Sequence, residues 1–149
     1  MEAVLFKING QPYGMRIEYL EGIEEVEHVT PVANAPSYIT GITNVRGEIV
    51  PVFNLMKKFS LDGEHKDNKF LLVRLDGAPI CLSVDEVDGM KKFEDKDVFD
   101  LPTVVNSEVN YFDKVLKLSA GELALVVVPE LLMSDKERSD ISQFVAKMK

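Results

Sequence analysis

Short stretches in which apolar and polar residues alternate, separated by turn residues, recur along the chain. Residues 4–8 form the first stretch, and Asn9-Gly10 follows as a pair suited to the positive φ angles of a tight hairpin turn. Tyr13, Met15 and Ile17 then alternate with small or polar residues, as in a return strand with one face on a core. The pattern predicts a β-hairpin at the start of the chain.

The segment after this hairpin has no single period. Residues 17–32 show helical spacing of apolar residues in their first half and strand-like alternation in their second half, which predicts a short helix and then a strand. Residues 37–40 are expected to form one helical turn. Residues 49–55 are almost continuously apolar and read as a strand, in which Pro51 indicates an edge or a bulge because proline cannot donate to the ladder.

Two more hairpins are predicted in the second half. Each consists of two apolar segments around a turn: residues 70–75 and 78–84 around Asp76-Gly77, and residues 114–118 and 122–128 around Ser119-Ala120-Gly121. The polar segment 60–69 precedes them. We expect it to be a surface loop that divides the chain into two lobes.

The last part of the chain changes to helical spacing. Ser134 and Glu137 form a capping-box pair, and apolar residues follow on one helical face. These are Ile141, Phe144, Val145 and Met148. About ten short strands with regular turn signals therefore predict an all-β chain of small barrels, closed by one C-terminal amphipathic helix.

Length and charge restrict the class of protein. The 149 residues fit one domain, or two small lobes that share a core, and we take residues 1–149 as a single domain. A net charge of −8 disfavours nucleic acid and anionic lipid as partners, since both require clustered Lys or Arg. The apolar runs are too short to span a bilayer and no signal peptide opens the chain, so we expect a cytoplasmic protein without direct membrane insertion.

No constellation of reactive side chains is evident. The two histidines, His28 and His65, lack a second ligand at metal spacing, and Cys81 lies in an apolar strand without an activating neighbour. We therefore predict a binding protein with no catalytic, cofactor or metal site. A small hydrolase that uses paired carboxylates, for example from the run around Glu24 and Glu25, is kept as the least favoured alternative.

The most distinctive segment is residues 41–55, in which Arg46 lies between a polar turn and a glycine just before an apolar strand. It resembles the CheW family of bacterial chemotaxis coupling proteins. The likeness is carried by Asn34-Ala35-Pro36, Gly41, Asn44-Val45-Arg46-Gly47, Pro51-Val52 and Leu55, in the order and spacing of the family motifs. Segments 13–23, 82–87 and 125–132 resemble further family motifs, so the likeness covers nearly the whole chain.

The resemblance implies two five-stranded SH3-like barrels around a shared core. It also implies a scaffold that couples the cytoplasmic hairpin of a chemoreceptor (a methyl-accepting chemotaxis protein) to the regulatory domain of a CheA-like histidine kinase, at receptor arrays on the inner face of the membrane. The implied receptor groove comprises Leu20, Gly22, Ile23, Ile39, Asn44, Arg46 and Gly47. The implied kinase contacts are Val52, Phe53 and Met56.

Some positions depart from the family motifs. Gly22 stands in place of the usual glutamate, which removes a charge from the implied partner surface, and Asn54 stands in place of the usual aspartate. Cys81 takes the place of a common glycine. These departures keep open a second function, that of an adaptor in another receptor–kinase pathway, such as one that controls surface motility.

Overall fold

In the computed structural model of the chain, the structure is described for residues 1–59, 61, 69–102 and 111–146, apart from the side chains of residues 141, 142 and 144–146. Eleven strands lie in these residues: β1 Glu2–Ile8, β2 Gln11–Arg16, β3 Leu20–Glu25, β4 Ile39–Val45, β5 Glu48–Asn54, β6 Lys69–Leu75, β7 Ala78–Val84, β8 Glu86–Lys92, β9 Val98–Asp100, β10 Phe112–Lys117 and β11 Leu123–Val127. The α-helices are α1 Leu55–Lys58 and α2 Asp135–Ala146. Single 3₁₀ turns cover Ile17–Tyr19, Asp95–Asp97, Ser119–Gly121 and Pro129–Leu131.

The strands form two sheets, which confirms the all-β prediction. Sheet A has the order β8-β1-β2-β11-β10-β9, and sheet B has the order β3-β6-β7-β5-β4. Sheet B has the five strands expected for one barrel. Sheet A has six, because the three-residue strand β9 adds to the edge of β10 over Val98–Asp100.

The chain passes between the sheets at places other than the one predicted. The strands on either side of segment 60–69, β5 and β6, both belong to sheet B, so this segment does not divide the lobes. Ser60 and residues 62–68 themselves lie outside the described residues, and Lys69 is already the first residue of β6. The crossings instead follow β2 and β7, so that the first hairpin and the last four strands build sheet A together.

All three predicted hairpins are confirmed. Asn9 and Gly10 have φ angles of 53° and 76°, and Asp76 and Gly77 have 51° and 81°, as the tight turns between β1 and β2 and between β6 and β7 require. Between β10 and β11, Ala120 and Gly121 also have positive φ angles. The asparagine, aspartate and glycine residues suit these turns because they tolerate the left-handed region better than other residues do.

Three local predictions need correction. The helical part of segment 17–32 is one 3₁₀ turn, Ile17–Tyr19, and the strand is β3, which comes earlier than the alternation around residues 26–32 indicated. Segment 37–40 contains a turn in which Ile39 N donates to Pro36 O, and β4 begins at Ile39. Strand β5 is internal to sheet B; Pro51 is accommodated because the pairing with β7 begins only at Val52.

One core joins the two sheets. Phe6 and Met15 of sheet A pack in the same buried cluster as Phe53 and Leu71 of sheet B. Smaller clusters lie within each sheet, around Phe70 in sheet B and around the remaining face of sheet A. The lobes therefore share their hydrophobic core, as the resemblance implied.

The C-terminal helix is confirmed as α2. Its capping box is present: Glu137 N donates to Ser134 Oγ and Ser134 N donates to Glu137 Oε1, both at 3.1 Å. The side chains of Ile141, Phe144 and Val145, and Met148 as a whole, lie outside the described residues. Among the described helices, none has the length and apolar character needed to cross a bilayer.

Candidate functional site

The β4–β5 turn presents Arg46 to solvent. Val45 pairs with Glu48, so that Arg46 and Gly47 form a two-residue turn with φ angles of 52° and 88°. Asn44 Oδ1 accepts a hydrogen bond from Gly47 N at 3.0 Å, so the Asn44 side chain stabilises the turn. Asn44 and Gly47 therefore shape the turn, and the Arg46 side chain remains 68% exposed.

Arg46 reaches from this turn to β3. Its Nη2 lies 2.5 Å from Oε1 of Glu24, whose side chain is only 19% exposed. Strands β3 and β4 are the two outer strands of sheet B. The ion pair therefore spans the line along which the sheet curls into a barrel.

A backbone pairing and a side-chain hydrogen bond close the same barrel. Thr30 and Ile42 exchange N–H to O bonds of 2.8 and 2.9 Å. Thr43 Oγ1 donates to His28 O at 2.8 Å. The chain that follows β3 is thereby tied to β4, and Arg46 lies at one end of this closed seam.

A groove of about 340 Å³ lies beside β3, between the sheets. It is lined by Ile17, Leu20, Glu21, Gly22, Ile23 and Met90. Five of these residues come from the 3₁₀ turn and β3, and Met90 comes from β8 of sheet A. Ile23 is 39% and Met90 57% exposed, so the groove has an exposed apolar surface.

A second pocket of about 220 Å³ opens at one end of the sheet B barrel. Its floor is apolar, from Val45, Val50, Leu72 and Pro79, and its rim carries Glu21, Arg46, Glu48 and Arg74. Arg74 Nε donates to Glu21 Oε1 at 2.7 Å. Glu21 lines both this pocket and the groove, and Arg46 lines this pocket and lies against Gly22 of the groove, so that the two concavities share a charged boundary.

The structure brings together only part of the predicted receptor site. Leu20, Gly22 and Ile23 line the groove, and Arg46 lies against Gly22. Ile39 is 6% exposed and packs in the shared core, so its predicted direct contact with a receptor is wrong.

The residues predicted to contact the kinase do not lie at the surface, so this prediction is also wrong. Val52 and Phe53 are fully buried, and Met56 is 4% exposed. Val52 packs inside the sheet B barrel, and Phe53 and Met56 pack in the core between the sheets. Val52 and Phe53 lie on an internal strand that is buried on both faces, and Met56 is buried in α1, so none of these side chains is free to touch a partner.

Sequence reasoning missed four residues of this region, namely Ile17, Glu21, Glu24 and Met90. Met90 follows a glycine and precedes two lysines, and no local pattern places it opposite β3. Glu21 and Glu24 lie in an acidic stretch of the sequence, which does not by itself show the basic residues with which they form ion pairs. In β3 the half-buried side carries Glu24 and the exposed side carries Ile23, which is the reverse of what the polarity of the two residues would predict.

Nothing at Cys81 indicates nucleophilic chemistry. The residue is fully buried, and loss of solvation, followed by the nearby charge of Glu24, raises the pKa of its thiol to about 12. A thiol with this pKa is protonated at neutral pH and is a poor nucleophile. The prediction that Cys81 is a buried packing residue is confirmed.

Comparison with known proteins places the chain in a family. The family model for the CheW-like domain matches residues 2–137. Chemotaxis protein CheW of Klebsiella aerogenes is 28% identical over 138 residues, which cover 91% of this chain and 83% of that protein. Chemotaxis protein CheW of Treponema pallidum is 26% identical over 140 residues, with 89% and 82% covered.

Two further matches extend the comparison. Protein FrzA of Myxococcus xanthus is 24% identical over 143 residues, which cover 93% of this chain and 89% of FrzA. The crystal structure of the scaffolding protein TtCheW from Thermoanaerobacter tengcongensis superposes with a TM-score of 0.79 over 91% of this chain and 95% of that one, at 24% identity. The fold is thus shared with a solved scaffolding protein, and the family match over most of the chain shows that this protein belongs to the CheW-like domain family.

Proposed function

We propose that this chain is a non-enzymatic adaptor that couples the cytoplasmic hairpin of a chemoreceptor to the regulatory domain of a CheA-like histidine kinase. It would work in the cytoplasm, at receptor arrays on the inner face of the membrane. The observation that carries the proposal is the apolar groove between the sheets, with Arg46 held at its boundary. The matches to chemotaxis proteins named CheW support the same class of function.

The groove has the chemistry of a helix-binding site. An amphipathic helix docks by laying apolar side chains into a groove, and Leu20, Ile23 and Met90 supply such a surface. An exposed arginine at its boundary has a planar guanidinium that donates several hydrogen bonds at once, and these bonds fix the register of the partner. A receptor hairpin, made of two helices, fits this combination.

The kinase contact is proposed at the open end of the sheet B barrel. Burial of Val52, Phe53 and Met56 excludes their side chains, but the second pocket opens at the barrel end, where Glu21, Arg46, Glu48 and Arg74 line it. Its apolar floor and charged rim match the usual anatomy of a protein interface. Receptor and kinase would then bind on either side of the boundary formed by Glu21 and Arg46.

Titration of a purified receptor tip against the wild type and Arg46→Ala tests the proposal. A central interface arginine is a typical hot spot, where truncation costs about 2 kcal/mol, or roughly thirtyfold in Kd. Lys114→Ala is the matched control, because Lys114 forms a surface ion pair with Asp100 on sheet A and the substitution removes the same charge. Equal affinity of the wild type and a folded Arg46→Ala protein would contradict the receptor role of Arg46.

The match to FrzA supports a second candidate, an adaptor for another receptor–kinase pathway. Gly22, which departs from the chemotaxis family motif, lies in the groove itself and therefore affects partner choice directly. Titrating one representative tip from each receptor class of the host separates the two candidates. Preference for a receptor outside the chemotaxis pathway would favour the second.

A further inference from the structure

We propose that Gly22 and Glu24 are positioning residues that hold the Arg46 guanidinium in a fixed orientation at the groove, ready for a hydrogen-bond acceptor on the partner. The inference rests on the proposed receptor-binding function. It adds to that function the means by which an exposed arginine on a turn is kept in place. It also names the chemistry that the partner must bring: a carboxylate, or a side-chain or main-chain carbonyl.

Arg46 needs such a support because of where it lies. It occupies a two-residue turn with a positive φ angle, and its side chain is 68% exposed. A long side chain in that position samples many rotamers, and ordering it on binding lowers the affinity. An arginine held in its bound orientation before the partner arrives avoids that loss.

Glu24 holds the Arg46 side chain in place through an ion pair. Its Oε1 lies 2.5 Å from Arg46 Nη2 and is buried, and within the described residues it makes no aligned hydrogen bond. The charge of Arg46 therefore compensates this oxygen, and the pair is favoured over a freely moving arginine. Guanidinium carries five N–H donors, so the contact with Glu24 leaves donors for a partner.

Gly22 leaves the space that the Glu24–Arg46 ion pair occupies. A Cβ at this position would lie 3.1 Å from Glu24 Oε1 and 3.2 Å from Arg46 Nη2, which is tighter than ordinary van der Waals contact. Gly22 and Glu24 are two residues apart in β3 and so lie on the same face, beneath the guanidinium. Because Gly22 also lines the groove, the ion pair lies next to the groove wall.

Glu24→Gln and Gly22→Ala test the proposal, with Glu25→Gln as the matched control. Glu25 is the next residue in β3 and pairs with Lys69 rather than with Arg46, so the control removes the same charge from the same strand. We expect Glu24→Gln and Gly22→Ala to weaken binding of a purified receptor tip about three- to tenfold, and Glu25→Gln to weaken it less than about twofold. In the Arg46→Ala background, Glu24→Gln should have no further effect, because nothing remains for it to position.

Two measurements separate positioning from a merely structural role. The Nε–Hε NMR signal of Arg46 in the free protein should be dispersed in the wild type and move to the random-coil position in Glu24→Gln and Gly22→Ala. The charge swap Glu24→Arg with Arg46→Glu should recover the melting temperature that the single changes lose, but not receptor binding. Unchanged affinity and NMR signal in Glu24→Gln, or restored binding in the swap, would overturn the proposal while leaving the receptor function in place; failure of the wild type to bind would overturn both.

Discussion

Gly41 is the residue at which the chain leaves least room for a side chain. A Cβ there would lie 2.2 Å from the carbonyl oxygen and 2.7 Å from the carbonyl carbon of Thr30, which are backbone atoms that cannot rotate away. The crowding arises because Thr30 and Ile42 pair to close the sheet B barrel. Glycine at position 41 is thus a consequence of barrel closure.

Gly41→Ala should therefore destabilise the protein by about 3 kcal/mol or more, at the upper end of overpacking effects. Gly14→Ala is the control, since its Cβ would meet the flexible Leu116 Cδ1 at 3.1 Å, and we expect a cost of about 1 kcal/mol or less. Urea unfolding of both variants measures the difference. Equal losses would show that Thr30 can move away at little cost.

Cys81 provides a prediction about reactivity. With a thiol pKa of about 12, the thiolate fraction at pH 8 is on the order of one in ten thousand, and the sulfur is also buried. Iodoacetamide should modify Cys81 only as fast as the protein unfolds. Rapid modification of native protein at pH 8 would contradict the buried assignment.

The residues of the β4–β5 turn could be identified from the sequence, but which apolar residues are buried could not. Asn44, Arg46 and Gly47 were singled out from one motif, and the structure places them in one turn. Phe53 and Met56 follow that motif by a few residues and were expected at a surface, yet they are buried. Whether an apolar residue faces a partner or the core depends on strands far away in the sequence, which no local pattern reports.

At the scale of single elements, hairpins with strong turn signals were predictable. Asn9-Gly10 and Asp76-Gly77 fix their turns by local conformational preference, and the structure agrees. Segment 17–32 was not predictable to the same degree. Its strand β3 alternates between half-buried and exposed positions, but Glu24 lies on the half-buried side and Ile23 on the exposed side, so the apolar residues do not show the two-residue period on which the prediction relied.

Helix α2 is held against the domain by a partly buried ion pair. Lys58 Nζ lies 2.6 Å from Glu137 Oε2, and the ammonium also lies over the rings of Tyr38 and Tyr111, at 5.1 and 5.8 Å from their centroids. Partial burial raises the pKa of Glu137, but hydrogen bonds from Lys58 and Ser134 outweigh it, and the net pKa is lowered from 4.5. The ionised carboxylate is therefore the form that stabilises the folded state.

Glu137→Gln should lower the melting temperature at neutral pH, and the gap to the wild type should close in acid. Because the pKa of Glu137 is lower in the folded state than its unfolded value of 4.5, the ionised carboxylate stabilises the folded protein above pH 4.5. This stabilisation is lost as the pH falls through the lower, folded-state pKa. Glutamine retains the capping box, so the change isolates the ion pair. Glu94→Gln, from an exposed pair with Lys96, is the control; a gap independent of pH would contradict the assignment.

At the scale of the whole molecule, sheet membership was the least predictable feature. The hairpins were identified correctly, yet sheet A joins the first hairpin to the last four strands and sheet B takes the middle of the chain. The joining contacts are short parallel pairings, Leu125 with Tyr13 and Val52 with Cys81, for example. Such long-range pairings depend on the shared core, and a linear pattern does not contain them.

The shared core predicts that the two lobes unfold together. Phe6 and Met15 of sheet A and Phe53 and Leu71 of sheet B belong to one buried cluster, so neither sheet keeps its core when the other is lost. Differential scanning calorimetry should show one transition, with equal calorimetric and van't Hoff enthalpies. Two separated transitions would show that the lobes are independent domains.

The most direct test of the proposed adaptor function is whether this chain joins the two proposed partners. An immobilised receptor tip is incubated with the regulatory domain of a CheA-like kinase, in the presence of the wild type, of Arg46→Ala or of no added chain, and the retained kinase domain is quantified. We expect retention of the kinase domain with the wild type, strongly reduced retention with Arg46→Ala, and none above background without the chain. Equal retention with and without the wild-type chain would contradict the adaptor function.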